Sequence, residues 1–238
     1  MKTELKTILL ILPLQLFFFG SLKSQSNSDV SSQIWIDVNP SYVGIPGLEL
    51  FGDAGTRWEI NDKSWIRLVL RPSMRVPIGK GFYFAAGLGN FYTINDAVSN
   101  RWEIRPFQGV SFTWPKGRIF IRHYIRLEER FDFNTTTWNS KNSLRGRYKL
   151  AVSHRWAAIQ AGRYWQISAT GEAFITLLGQ QGQFQEQARV TLGLDRSFRY
   201  DLHFRFEVTW QLEQLFFSKR SVSDIYFRLR YTYRWGKN

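Results

Sequence analysis

Apolar and polar residues alternate with a period of two along most of this chain, from about residue 33 to its end. The clearest run is Arg118–Phe133. Ile119, Ile121, His123, Ile125, Leu127, Glu129, Phe131 and Phe133 hold one set of positions. Arg118, Phe120, Arg122, Tyr124, Arg126, Glu128, Arg130 and Asp132 hold the other. A β-strand turns successive side chains to opposite faces, so the run predicts one mainly apolar face and one mainly charged face. The segment before it behaves alike. Trp102, Ile104, Pro106, Val110, Phe112 and Trp114 share a face with Gln108, opposite Arg101, Glu103, Arg105, Ser111 and Thr113.

Later segments repeat the theme. Leu144, Tyr148, Leu150 and Val152 oppose Arg145, Arg147 and Lys149; Trp165, Ile167, Ala173 and Ile175 oppose Gln166 and Glu172. Ala188, Val190, Leu192 and Leu194 oppose Arg189 and Asp195; Leu202, Phe204, Phe206, Val208 and Trp210 oppose His203, Arg205 and Glu207. The last segment sets Ile225, Phe227, Leu229, Tyr231, Tyr233 and Trp235 against Tyr226, Arg228, Arg230, Thr232 and Arg234. Ile34–Val38, Leu48–Glu59, Trp65–Arg71 and Phe82–Thr93 read as strands with a weaker pattern. The reading gives about eleven strands, and bacterial single-chain barrels normally have an even number, so ten or twelve are expected.

Three features turn this pattern toward a membrane. Soluble strands average about 5–6 residues, whereas several segments here alternate for 11 to 16, and a tilted transmembrane strand needs about 9–11. Trp102 and Trp114 lie on one face twelve residues apart, which is roughly 40 Å along a strand and about 30 Å along the normal at a tilt near 40°. With Trp210 and Trp235 near strand ends they are expected to mark the two edges of an apolar band. Polar connections near Asn134–Asn142, Leu178–Gln185 and Leu212–Val222 alternate with short turns at Pro115–Gly117 and Ser197–Tyr200. Barrels of this class have short periplasmic turns and longer outer loops. The expected fold is all-β: a closed antiparallel transmembrane β-barrel of about 10–12 strands.

Composition changes the picture in two places. The chain has 238 residues and no cysteine, which excludes a disulfide scaffold, thiolate metal sites and thiol catalysis. Residues 1–24 read as a cleaved secretory signal: Lys2 and Lys6 form the positive region, Ile8–Phe19 the apolar one, and Gly20, Ser21 and Ser24 the small residues before the cut. Residues 25–238 then form one barrel domain, delivered to the outer membrane of a Gram-negative cell. The net charge of +13 does not come from a lysine–arginine tail. Its arginines are spaced singly along the polar faces, so outer-membrane lipid and small anionic solutes, not nucleic acid, are the expected partners.

If the apolar face meets lipid, the charged face lines the lumen. Arg101, Arg105, Arg122, Arg126, Arg130, Arg145, Arg147, Arg189, Arg205, Arg228 and Arg230 are the candidate anion contacts, and Glu103, Glu128, Glu172 and Glu207 their carboxylate partners. Two readings follow. Arginine forks paired with carboxylates brace the barrel wall, or a ring of arginines makes a narrow anion-preferring channel. No H-E-x-x-H, G-x-S-x-G or phosphate-loop motif occurs, and no cofactor or metal is expected. Gly87 and Gly89 are expected to mark a strand bend. His123 and Glu129 interrupt the apolar face. Their presence keeps a second class in view, an outer-membrane enzyme acting on lipid. A third is a soluble periplasmic barrel with arginines outside and aromatics inside around an apolar ligand.

Arg126-Leu127-Glu128-Glu129-Arg130 and Leu144-Arg145-Gly146-Arg147-Tyr148, followed by Glu172-Ala173-Phe174 and Arg189-Val190-Thr191-Leu192-Gly193-Leu194, form an ordered set. Together they resemble the uncharacterised outer-membrane family called domain of unknown function 2490, frequent in Bacteroidota. The likeness covers about residues 33–235. It implies a barrel of unassigned role and carries over no catalytic or ligand residues.

Overall fold

The computed structural model describes residues 30–60, 65–95, 98–114, 118–160, 162–179, 185–215 and 221–236. The expected signal segment and the turn at Pro115–Gly117 lie outside the described residues. No helix occurs among those described. Eleven strands follow one another: β1 (Val30–Ile45), β2 (Leu48–Glu59), β3 (Trp65–Gly79), β4 (Phe82–Asn95), β5 (Arg101–Trp114), β6 (Ile119–Asn134), β7 (Ser140–Gln160), β8 (Arg163–Gly179), β9 (Gln185–Arg199), β10 (Leu202–Leu215) and β11 (Ser221–Trp235). Each pairs with its neighbours in chain order, and β1 meets β11 to close the barrel.

The closed all-β barrel is the one expected, but the even, wholly antiparallel form is not. An up-and-down meander reverses direction at each step, so an odd count brings the first and last strands together running the same way. β1 and β11 pair in parallel from Val30↔Ser223 to Tyr42↔Trp235, while the other ten pairs are antiparallel. Parallel pairing is slightly weaker per residue. Side chains lace this seam. Trp35 stacks on Tyr226 with centroids 4.4 Å apart. Arg228 Nε donates to Asp37 at 2.5 Å, and Ser31 Oγ donates to Asp224 at 2.5 Å.

The strands run further than the sequence suggested, because alternation with polar residues on both faces continues into the connections. Only residues 135–139, 180–184 and 216–220 separate the strands where the longer loops were expected. Ser197 sits inside β9, and the turn after it is Tyr200–Asp201. At one end of the barrel, the loop end, the connections run to five residues. At the other, the turn end, most are two residues, with Gly47 and Gly81 at φ 71° and 80° permitting the tight reversals.

Burial is inverted relative to a water-soluble protein. Ile125, Leu192, Leu70 and Phe206 are exposed on the outer wall, while Glu128, Asp37, Glu103, Glu172 and Glu207 are buried inside. An arrangement with arginines outside and aromatics inside around an apolar ligand is therefore not the one that forms. The outer wall carries Trp102 and Trp210 toward the loop end and Trp114 and Trp235 toward the turn end, with aliphatic side chains between. Indole groups find local acceptors: Trp102 Nε1 donates to Asn90 Oδ1 at 2.7 Å and Trp210 Nε1 to Ser223 Oγ at 2.6 Å. His123 is accounted for by Tyr148, whose hydroxyl lies 2.8 Å from Nδ1 on the neighbouring strand. Glu129 lies on the same face six residues along β6, about 20 Å away at strand spacing, so the two do not form one cluster.

Candidate functional site: the charged lumen

Strand alternation turns every second residue of eleven strands into one shared interior, and the register decides which of them meet. In the half nearer the loop end they form a belt that closes on itself. The Arg57 guanidinium lies 3.9 Å over the Trp35 ring, and Trp35 stacks on Tyr226. Arg189 lies between Tyr226 and Phe174, 5.7 and 4.6 Å from their centroids. Arg145 and Arg147 cover Phe174 from the other side, at 4.8 and 5.0 Å. Arg145 Nε donates to Glu128 at 2.9 Å, and Arg105 approaches Glu128 at 3.6 Å. Arg105 then lies 4.4 Å over Phe91, and Phe91 is 5.8 Å from Arg57, where the circuit began.

Guanidinium planes and ring faces alternate around most of this circuit. Each ring presents its negative face to a cation, which adds attraction without adding another carboxylate. Glu128 is the charge centre: it is fully buried, accepts from Arg126 and Arg145, and has Arg147 at 4.0 Å. A carboxylate has about four acceptor sites, so one group can satisfy several forks at once. Arg126 also lies 4.7 Å over the Phe107 ring. Gly87 and Gly89 make room for these rings. A Cβ at Gly87 would collide with Phe107 and Ser73, and one at Gly89 with Phe91. The register of β4 passes both glycines without a shift, and both mark a close ring approach.

The belt divides the interior. On the loop side lies a vestibule of about 830 Å³, lined in part by Arg101, Arg130, Asp132, Lys141 and Arg145. On the turn side lies a chamber of about 340 Å³ that includes Arg126, Arg147, Lys149, Glu172, Glu207 and Arg228. Among the described residues, the two spaces share no lining residue.

The predicted lumen residues fall into three groups. Arg105, Arg126, Arg145, Arg147, Arg189 and Glu128 belong to the belt or touch it. Arg101 and Arg130 face the vestibule: Arg101 pairs with Asp132, and Arg130 Nε donates to Glu103 at 2.6 Å. Glu103 also accepts from Arg105 at 2.7 Å. Arg122, Arg205, Arg228, Arg230, Glu172 and Glu207 line the chamber. There Arg147 and Lys149 hold Glu172 at 2.7 and 3.3 Å. Glu207 is shared by Arg205, Arg228 and Arg230 at 3.4 to 3.8 Å.

The sequence reading missed the carboxylates Asp37, Asp53 and Asp195 as partners. Asp53 accepts from Arg71 at 2.7 Å, and Asp195 from Arg205 at 2.5 Å. It also missed the inward aromatics Trp35, Phe91, Phe107 and Phe174, while Tyr226 stands on the polar face expected for it. Their signal was present: each sits two residues from an inward polar residue, on the polar side of the alternation. His203 does not join a carboxylate cluster; its Nε2 lies 3.2 Å from the Tyr200 carbonyl oxygen. No group of metal-ligating side chains forms among the described residues.

A family model described as "Protein of unknown function (DUF2490)" matches residues 32–220. No curated protein matches the chain. The runs noted above for their resemblance to that family supply Arg126, Glu128, Arg145, Arg147, Phe174 and Arg189, which make up much of the belt.

Proposed function

The chain belongs to the DUF2490 family, and on that premise we propose that it is an outer-membrane β-barrel whose lumen is braced shut by its own charges. The inverted burial carries the membrane part of this reading. A wall showing Leu70 57%, Leu192 60% and Ile125 63% exposed, bounded by tryptophans at both ends, is an apolar surface far larger than soluble monomers present. Lipid is the solvent that accepts it, and the closed sheet leaves no unpaired strand edge in that solvent. The belt carries the second part. A continuous circuit of buried side chains between two spaces with no common lining favours a structural, non-conducting barrel over an open pore.

The test has two steps. Outer membranes containing the protein are run on a detergent gel with and without boiling, and a shift in migration is expected. The purified barrel in a planar bilayer should then show no stable conductance steps. A protein recovered in the soluble periplasmic fraction without a boiling shift overturns the membrane reading. Steady ohmic steps from the unmodified protein overturn the closed lumen and favour the narrow anion channel, for which the excess of cations over carboxylates in the chamber is the supporting observation.

A further inference from the structure

Bracing accounts for the belt but not for every cation beneath it. Among the described residues, ten cationic side chains line the chamber with three carboxylates, Asp53, Glu172 and Glu207. Those three engage Arg71, Arg147, Lys149 and the arginines around Glu207, while Glu49, Asp37, Asp195 and Glu128, outside the lining, pair with Arg75, Arg228, Arg205 and Arg126. Arg122 has no such partner. Its Nε donates to the Thr113 hydroxyl at 3.2 Å, and no carboxylate pairs with it among the described residues. Arg75 and Arg205 line the same chamber, and each is bonded to a carboxylate, Glu49 and Asp195. Arg75, Arg122 and Arg205 stand on β3, β6 and β10 and line the same chamber from separate parts of the wall.

Like charges gathered behind a low-dielectric wall focus potential on the space between them. An anion placed there relieves the repulsion that the protein otherwise carries. We propose that the chamber binds a phosphate-bearing anion of the size of inorganic phosphate or pyrophosphate, held among Arg75, Arg122 and Arg205 and admitted from the turn end. Phosphate is the better match than carboxylate because its oxygens are disposed tetrahedrally and accept guanidinium forks from several sides, whereas the two oxygens of a carboxylate lie in one plane. The chamber volume of about 340 Å³ is at the small end of ligand sites. The belt bars the loop side. Arg75 also lines a cavity of about 450 Å³ at the turn end, so the two spaces adjoin there. Only the side of entry rests on the closed-lumen reading; the convergence of the three arginines stands without it.

Isothermal titration of the detergent-folded barrel with inorganic phosphate and with pyrophosphate, in about 0.15 M chloride to screen surface charge, tests this directly. Saturable binding is expected, tighter for pyrophosphate. Arg122→Gln should weaken it at least tenfold while the anion-free melting temperature stays the same or rises, because no bonded carboxylate is abandoned. Lys141→Gln, in the vestibule, should leave affinity unchanged. The proposal is overturned if the folded wild-type barrel binds neither anion above chloride. It is also overturned if Arg122→Gln lowers the anion-free melting temperature by several degrees, which makes Arg122 a brace, or if Lys141→Gln abolishes binding. Bilayer conductance with intact, Arg122-dependent binding would remove the turn-side entry and leave the site in place.

Discussion

The belt and the chamber are built from the same residue types a few ångströms apart, and they use them in opposite ways. In the belt, Glu128 gathers Arg105, Arg126, Arg145 and Arg147, and aromatic faces separate the remaining guanidiniums. In the chamber, cations outnumber carboxylates and Arg122 answers only to a hydroxyl. An arginine-rich interior is therefore stable where rings and carboxylates interleave with the forks. Where they do not, the same residues become available to something else. Buried ion pairs contribute little net stability but are costly to break from one side, so the two levels should respond very differently to substitution.

The largest effect is expected at Glu128. Glu128→Ala leaves several buried guanidiniums without their shared acceptor and should lower unfolding stability by about 3–5 kcal/mol, read from urea titration of the folded barrel. The same variant should conduct in a bilayer if Glu128 holds the belt closed; an unchanged, silent bilayer trace would place the barrier elsewhere. Phe174→Ala comes next. It deletes a ring 1% exposed that three arginines share, for a loss of about 3 kcal/mol. A loss under half that size would mean the arginines re-pack on one another. Arg101→Gln breaks the pair with Asp132 at the vestibule rim, where the Arg101 side chain is 55% exposed. Solvent screening limits that change to about 0–1 kcal/mol, and a larger one would show that the vestibule is braced like the belt. The smallest stability change is expected for Arg122→Gln, near zero and of stabilising sign, as differential scanning calorimetry can resolve.

How far the sequence revealed all this differs between the two faces of the wall. The outer face was legible because outward and inward residues alternate; Arg118–Phe133 alone separates Ile125 and Leu127 from Arg126 and Glu128. The eleven strands followed from the same rule. The inner face was legible only as a charge inventory. Which arginine reaches Glu128 depends on register across β5, β6 and β7, and register is not written in any one strand. Inward aromatics such as Phe107 and Phe174 read as noise, because the rule assigns apolar residues outward. His123 looked like an intrusion for the same reason: Tyr148 is its partner only once β6 and β7 are aligned. The parallel seam is the least local feature. It follows from the parity of the count, and one strand more or fewer would have abolished it.

If the barrel spans a bilayer as proposed, that parity also sorts the chain's two ends by compartment. β1 leaves the loop end at Val30 and β11 arrives at the turn end with Trp235. A peptide fused ahead of Val30 therefore emerges beside the long connections, and one fused after Trp235 emerges beside the tight reversals. In a bilayer these are different sides. An even-stranded meander would put both fusions in the same solution. This one makes the molecule a display scaffold with two addresses, and a protease confined to one side should trim one tag and spare the other.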